Sequence, residues 1–280
     1  MDSPSIPSAL WDRRHVDAAG LSFAIRERRP EATAPSALPA LLVHGNWATS
    51  AWWLPVMTAL ASADTERRLV APDLRGRGAT TGPDHGYAID ALAGDLVRLL
   101  DALEIPRAHV VGHSLGSAIA MQLALDHPER VATLAVIAPA WVDGMPPAYD
   151  RPDLQVALAS DRDRVGDALR PLCGDAASGP FWERLVAESK EQSLRAALDN
   201  LEALRRWMPG ATLSGLRMPR MVIQGGADPL VLESMGARAA EALRAPLQVL
   251  PGVAHAAILE APAAVASRLD DLWTRGERGE

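Results

Sequence analysis

The chain has 280 residues, of which 48% are hydrophobic, and it carries a formal net charge of −7. This length and composition fit one large globular domain with an insertion and argue against a disordered chain. This negative net charge, with no block of lysine and arginine in the sequence, argues against nucleic acid as a partner. Apolar runs stay shorter than the roughly 18 residues of a membrane span, and the N-terminus lacks a signal-peptide pattern. The one cysteine, Cys173, allows no intrachain disulfide, so we expect a cytoplasmic protein.

Strands and helices are predicted to alternate along most of the chain. Residues 1–14 have the composition of a loose arm, 27–39 that of a loop, and alternating apolar residues predict a half-buried strand at 21–25. Continuous apolar runs predict six further strands, at 40–43, 69–71, 110–111, 134–137, 221–223 and 247–250. Periodic segments predict helices at 50–61, 87–103, 114–125, 230–243 and 262–272. Because strands that are apolar on both faces belong in a parallel sheet covered by helices, the pattern predicts a doubly wound, mostly parallel α/β fold.

The alternation stops between residues 141 and 216, where no clear strand is found. Helix-like pieces fill that stretch, at 154–159, 164–172, 181–191 and 193–207. A helical insertion directly after the sixth core strand is expected to form a cap over an active site. The chain is therefore predicted to consist of a core, 1–140 and 217–280, and a helical cap, 141–216.

A candidate nucleophile lies between the predicted strand at 110–111 and the helix that follows it. The sequence there is Gly112-His113-Ser114-Leu115-Gly116, a G-x-S-x-G motif in its strand–turn–helix setting. A serine hydroxyl that stands clear of the sheet requires a sharp turn at a single residue, and glycines remove side chains that would collide across it. The motif therefore predicts that Ser114 is a catalytic nucleophile.

The order of four separate motifs resembles that of the α/β-hydrolase superfamily, over about residues 20–272. The elbow at Ser114 is one of them. The others are His44-Gly45-Asn46-Trp47, Pro72-Asp73-Leu74-Arg75-Gly76-Arg77-Gly78, and the pair Gln224-Gly225-Gly226-Ala227-Asp228 and Pro251-Gly252-Val253-Ala254-His255. The resemblance implies an α/β-hydrolase fold. It also implies mainly structural hydrogen bonds for His44, Asp73 and Arg75.

The resemblance also assigns the remaining catalytic groups. His255 is expected to be the general base, since an imidazole titrates near neutral pH and can move a proton to and from Ser114. Asp228 is expected to orient His255, with Asp143 as a rival because some members of the superfamily carry the acid there. The oxyanion hole is expected to consist of the backbone N–H groups of Asn46 and Leu115. The Asn46 side chain either contacts the substrate or simply suits a turn.

Large apolar side chains of the core and the cap are predicted to line a substrate pocket: Trp47, Trp141, Met145, Trp182 and Trp207. We therefore expect a serine hydrolase that cleaves a carboxylic ester, lactone or thioester of a mid-sized hydrophobic substrate. Such a triad also serves a C–C bond hydrolase, an acyltransferase or a cofactor-free lyase or cyclase, and the fold can serve as a ligand-binding receptor. No cofactor is expected, and no metal, because H-E-x-x-H and C-x-x-C spacings are absent from the sequence. The sequence leaves the oligomeric state open.

Overall fold

The computed structural model describes residues 6–18, 20–29, 37–62 and 67–279. Eight strands within these ranges form one sheet in the order β1-β2-β4-β3-β5-β6-β7-β8. The strands are β1 (Arg14–Ala18), β2 (Leu21–Arg28), β3 (Ala40–Val43), β4 (Leu69–Pro72), β5 (Ala108–His113), β6 (Val131–Ile137), β7 (Arg220–Gly225) and β8 (Leu247–Leu250). β1, β2 and β4 pair antiparallel, and all other neighbours pair parallel. This confirms the predicted doubly wound, mostly parallel architecture.

Helices connect these strands and cover both faces of the sheet. They are α1 (Ser8–Trp11), α2 (Leu54–Ser62), α3 (Ile89–Ala102), α4 (Leu115–Asp126), α5 (Pro152–Ser160), α6 (Arg164–Leu169), α7 (Gly179–Ser189), α8 (Leu194–Arg206), α9 (Glu233–Leu243), α10 (Ala257–Glu260) and α11 (Pro262–Arg278). None of the helices in the described ranges is long and apolar enough to cross a membrane.

Two hydrophobic cores lie on opposite faces of the sheet, because successive side chains of a strand point in opposite directions. In β5, Val110 belongs to the core under α3, α4 and α9, whereas Val111 belongs to the core under α2 and α11. Leu41 and Leu42 of β3 divide in the same way. Every residue of β3, β5 and β6 is buried as a result. The continuous apolar runs of the sequence reflect this two-sided cover.

The N-terminal region is more ordered than the sequence predicted. Within the expected loose arm, residues 8–11 form α1 and Arg14 begins β1, which pairs antiparallel with β2. The strand predicted as half-buried is buried on both faces, because Arg26 is 1% exposed and binds Glu188 of α7. Glu27 still belongs to β2 rather than to the expected loop. Residues 1–5 of the expected arm and 30–36 of the expected loop lie outside the described residues.

The four helices α5–α8 lie between β6 and β7, in the stretch where the strand–helix alternation stops. We call residues 141–216 the helical insertion. α5 packs against α8, and α6 packs against α7. α7 also contacts the short 3₁₀ turn Ser50–Trp53, which precedes α2. The insertion therefore contacts the core next to the loop that follows β3.

Candidate active site

The turn at Ser114 has the geometry that the G-x-S-x-G motif predicts. Ser114 lies between β5 and α4 with φ 54° and ψ −122°, outside the regions that an L-residue ordinarily adopts. Such a backbone costs about 1–3 kcal/mol, and it persists only where the surroundings enforce it. A Cβ on Gly112 would collide with the backbone of Gly116, and a Cβ on Gly116 would collide with the carbonyl of Val43. Both glycines are therefore required for this turn.

His255 forms a hydrogen-bonded pair with Asp228. His255 Nδ1 lies 2.8 Å from Asp228 Oδ2, and both side chains are at least 95% buried. Because a carboxylate can only accept, Nδ1 carries the hydrogen and Nε2 keeps its lone pair. An imidazole in this tautomer can accept a proton on Nε2. Ser114 and His255 line the same cavity, and among the contacts of the described residues no hydrogen bond joins their side chains.

The two carboxylate oxygens of Asp228 have different partners. Its Oδ1 accepts hydrogen bonds from the backbone N–H groups of Leu230 and Val231, at 2.8 and 2.9 Å, as a turn residue does. Its Oδ2 holds His255. Burial opposes ionisation of Asp228, but the hydrogen bonds from His255, Val231 and Leu230 outweigh it, and the pKa of the carboxyl is lowered. Asp228 is therefore held as an anion beside the imidazole.

Asp143, the alternative acid, lies elsewhere. Its two carboxylate oxygens bind Arg238 at 2.8 and 2.9 Å, and its side chain is 54% exposed. His255 Nδ1 donates its hydrogen bond to Asp228 instead. Asp143 thus forms a surface ion pair between the start of the insertion and α9.

Two backbone N–H groups in the segments around Ser114 have no acceptor within the described part of the chain. Leu115 is the first residue of α4, where no intrahelical acceptor exists. The loop after β3 passes close to the serine, since a Cβ on Gly45 would lie 3.0 Å from Ser114 Cβ. In the part of the chain that the structure describes, the N–H of Asn46 in this loop has no acceptor either. An oxyanion hole is built from backbone N–H donors of this kind.

A cavity of about 350 Å³ opens above Ser114. Core and insertion both line it, and Trp47, Trp141 and Met145 of the predicted pocket are among its walls. Trp182 and Trp207 lie outside it. Trp182 packs edge-to-face on Trp52, and the indole of Trp207 donates to Gln122 on α4. These two tryptophans join the insertion to the core and do not line the cavity.

Several lining residues were not singled out in the sequence. Leu201 and Leu204 belong to the buried stripe of α8, whose spacing of three to four residues is visible in the sequence. Gln155 of α5 was not predicted, and its Oε1 accepts a hydrogen bond from the Trp47 indole at 2.7 Å. No local pattern could have identified that pair, because 108 positions separate the two residues.

Two further histidines lie beside the site in neutral form. Burial, together with the neighbouring His255, lowers the pKa of His113 to about 3. Its Nε2 lies 3.0 Å from the His255 carbonyl and therefore carries the hydrogen. Burial and the charge of Arg77 lower the pKa of His44 to about 3. His44 Nε2 accepts from the backbone N–H of Leu74 at 3.0 Å, so this ring joins two loops, as the resemblance implied.

Comparison with known proteins identifies the family of the chain. A model of the alpha/beta hydrolase family matches residues 40–268. The chain is 33% identical over 254 residues to the putative carbamate hydrolase RutD of Variovorax paradoxus (strain S110), covering 83% of this chain and 90% of that protein. It is 32% identical over 284 residues to the 2-hydroxymuconate semialdehyde hydrolase of Pseudomonas sp. (strain CF600), covering 94% of each.

Solved structures show the same architecture. A hydrolase from Pseudomonas aeruginosa PA01 superposes with a TM-score of 0.77 at 25% identity, over 96% of this chain and 99% of the other. The enol-lactonase of Burkholderia xenovorans LB400 has a TM-score of 0.79 at 22% identity, over 93% and 100%. This second likeness concerns the fold alone. With the family match spanning most of its length, the chain belongs to the alpha/beta hydrolase family.

Proposed function

We propose that this hydrolase cleaves a carboxylic ester, lactone or thioester of a neutral, mid-sized, apolar substrate through an acyl-enzyme. The observation that carries the proposal is the strained Ser114 in one cavity with a His255–Asp228 pair of the correct tautomer. A serine is a weak nucleophile unless a base removes its proton, and an imidazole held by a carboxylate supplies that base.

In the proposed reaction, Ser114 Oγ adds to the substrate carbonyl carbon while its proton passes to His255 Nε2. The carbonyl oxygen becomes an alkoxide, bound by the N–H groups of Asn46 and Leu115. The C–O or C–S bond then breaks, and the leaving group takes the proton from His255. A water molecule next gives a proton to His255 and adds to the acyl carbon. The bond from that carbon to Ser114 Oγ then breaks, the acid is released, and His255 returns the proton to Oγ. Each of the two N–H donors is expected to contribute about 2.7–4 kcal/mol to the transition state.

The composition of the cavity supports a neutral substrate. Its walls are mostly leucine, tryptophan and other apolar side chains. Among the described residues that line it, the one permanent cation is Arg151, which is 56% exposed and pairs with Asp153. A carboxylate-bearing substrate, such as the one named for the 2-hydroxymuconate semialdehyde hydrolase, would therefore enter without a buried counter-charge, at a desolvation cost.

Matched p-nitrophenyl substrates test the proposal. The hexanoate ester supplies a neutral acyl chain, the mono-ester of adipic acid has a chain of equal length that ends in a carboxylate, and an N-butylcarbamate replaces the ester by a carbamate. We expect the hexanoate to have the highest kcat/KM, at least about tenfold above the adipate, since burying one unpaired charge costs more than 1.4 kcal/mol.

Two results would contradict the proposal. If the adipate or the carbamate is the best substrate, the substrate class is wrong. If acetate esters are cleaved far faster than hexanoates, the apolar cavity does not receive the acyl chain. Ser114→Ala is the control for each compound, because any turnover that it retains does not come from the proposed nucleophile.

A further inference from the structure

Four hydrogen bonds join the loop after β3 to the end of α7 in the insertion. We call this contact the α7 seam, formed by residues 46–52 of the core and 188–192 of the insertion. Gln192 contacts both Asn46 and Trp47, Glu188 accepts from Thr49 Oγ1 at 2.9 Å, and Ser189 accepts from the Trp52 indole at 3.3 Å. Gln192 is 2% exposed and Ser189 is 1% exposed. The seam is therefore a largely buried, polar junction between the insertion and the loop that carries the Asn46 N–H.

The orientation of every amide in the seam follows from its neighbours. The backbone N–H of Trp47 can only donate, so the Gln192 atom 2.8 Å from it is the oxygen. Arg77 can only donate, so the Asn46 atom 3.0 Å from its Nη2 is also the oxygen. Gln192 Nε2 then donates to Asn46 Oδ1 at 3.0 Å. One orientation of the Gln192 amide and one of the Asn46 amide satisfy these three hydrogen bonds.

Trp47 needs such support because its backbone is strained. Its φ is 49°, in the left-handed region, where a bulky L-residue is a rare outlier. The bond from Trp47 N–H to Gln192 fixes the peptide that follows Asn46. The bonds to Asn46 Oδ1 fix the side chain of the same residue. Asn46 is thus held on two sides, while its own N–H has no acceptor among the described residues.

We propose that Gln192 is a positioning residue for the oxyanion hole, so that the insertion helps to complete the catalytic site as well as to line its cavity. This inference rests on the proposed function. Gln192 touches neither the substrate carbonyl nor Ser114, and it acts through Asn46 and Trp47. Its effect is expected in the transition state, where the alkoxide forms, and not in the binding of the neutral ester.

Gln192→Met keeps the side-chain volume and removes both hydrogen bonds. We expect kcat for the hexanoate ester to fall about 10- to 100-fold, as for other small displacements of a catalytic group, with KM changed less than about threefold. Ser189→Ala is the matched control, since it removes one hydrogen bond of the same seam that does not involve Asn46 or Trp47. It should retain kcat within about twofold of the wild type.

A trifluoromethyl ketone with a pentyl chain provides a second readout. It forms a tetrahedral hemiketal with a serine, whose oxyanion needs the same N–H donors, and fluorine NMR reports the adduct without turnover. Its affinity should fall in Gln192→Met by the same factor as kcat/KM. Gln192→Asn keeps an amide on a shorter side chain, so its losses of ketone affinity and of kcat should be intermediate. This variant replaces Gln192→Met if the Met variant does not fold.

The inference is overturned if Gln192→Met, or the Asn variant in its place, keeps both kcat and ketone affinity within about twofold. It is also overturned if Ser189→Ala loses as much kcat as the Gln192 variant, because the seam would then act only as packing. These outcomes differ from a failure of the proposed function, in which Ser114→Ala would retain the wild-type turnover.

Discussion

The central sheet and the contact between the core and the insertion are formed by different kinds of side chain. β3, β5 and β6 are buried at every position, so the sheet is a scaffold of apolar side chains. α5 buries only Gln155 and Leu158, and the α7 seam consists of polar groups. Apolar burial is non-directional and tolerates repacking, whereas a buried hydrogen bond demands one geometry. The core therefore fixes the fold, and the insertion fixes the orientation of particular groups at the site.

The largest expected effect concerns the two candidate acids, one bound to His255 and the other at the edge of the insertion. Asp228→Asn should lower kcat by about 10³- to 10⁴-fold, because an amide at that position no longer selects the Nδ1–H tautomer of His255. Asp143→Asn, which breaks an ion pair with a half-exposed partner, should stay within about twofold. Steady-state kinetics on a hexanoate ester measures both, and a larger loss in Asp143→Asn would reverse the assignment.

A smaller effect is expected where the N-terminal region joins the core to the insertion. Trp11 of α1 packs edge-to-face on Phe181, and the guanidinium of Arg184 lies 3.6 Å from its ring centroid. Both partners belong to α7. Trp11→Ala should lower the free energy of unfolding by about 2–4 kcal/mol, somewhat below the cost at a fully buried site.

Denaturant unfolding measures that loss, and hydrogen exchange locates it. Amides of α7 should exchange faster in Trp11→Ala, while those of β5 keep their protection relative to the new global stability. Leu232→Ala, at a residue that is 46% exposed, is the control and should change stability by less than about 0.5 kcal/mol. Equal acceleration in both elements would show that the core and the insertion unfold as one unit.

The smallest expected effect is a change in how the stability of the protein depends on pH, which we expect to arise from the core. All seven histidines lie outside the insertion. Burial lowers the pKa of His44 and His113 to about 3 and that of His109 to about 4. An unfolded histidine titrates near pH 6.5. The unfolded chain therefore binds more protons below that pH, and stability falls as the solution is acidified.

Near pH 5.5, three such histidines change the free energy of unfolding by on the order of 3–4 kcal/mol per pH unit. His109→Gln should reduce this slope by roughly one third, since His109 lies away from Ser114, between Thr133 and Glu277. Denaturant unfolding between pH 5 and 7 measures the slope. An unchanged slope in the variant would mean that His109 does not contribute to the acid sensitivity of the core.

The sequence predicted the scaffold well because its signals are local. Apolar runs covered on both faces identify parallel strands, and the G-x-S-x-G motif between a strand and a helix identifies the turn at Ser114. The errors lie where a contact spans a long sequence distance. α1 was missed because its order depends on Phe181 and Arg184, and Trp182 was placed in the cavity although it packs on Trp52. Gln192 contacts Trp47 across 145 positions, and no periodicity encodes such a pair.

The central claim is that Ser114 is a nucleophile activated by His255. A fluorophosphonate probe followed by peptide mass spectrometry tests it most directly, because the probe reacts covalently with an activated serine. The account predicts one phosphonylated residue, Ser114, with labelling lost in Ser114→Ala and strongly slowed in His255→Ala. Labelling at another serine, or full labelling in His255→Ala, would contradict it.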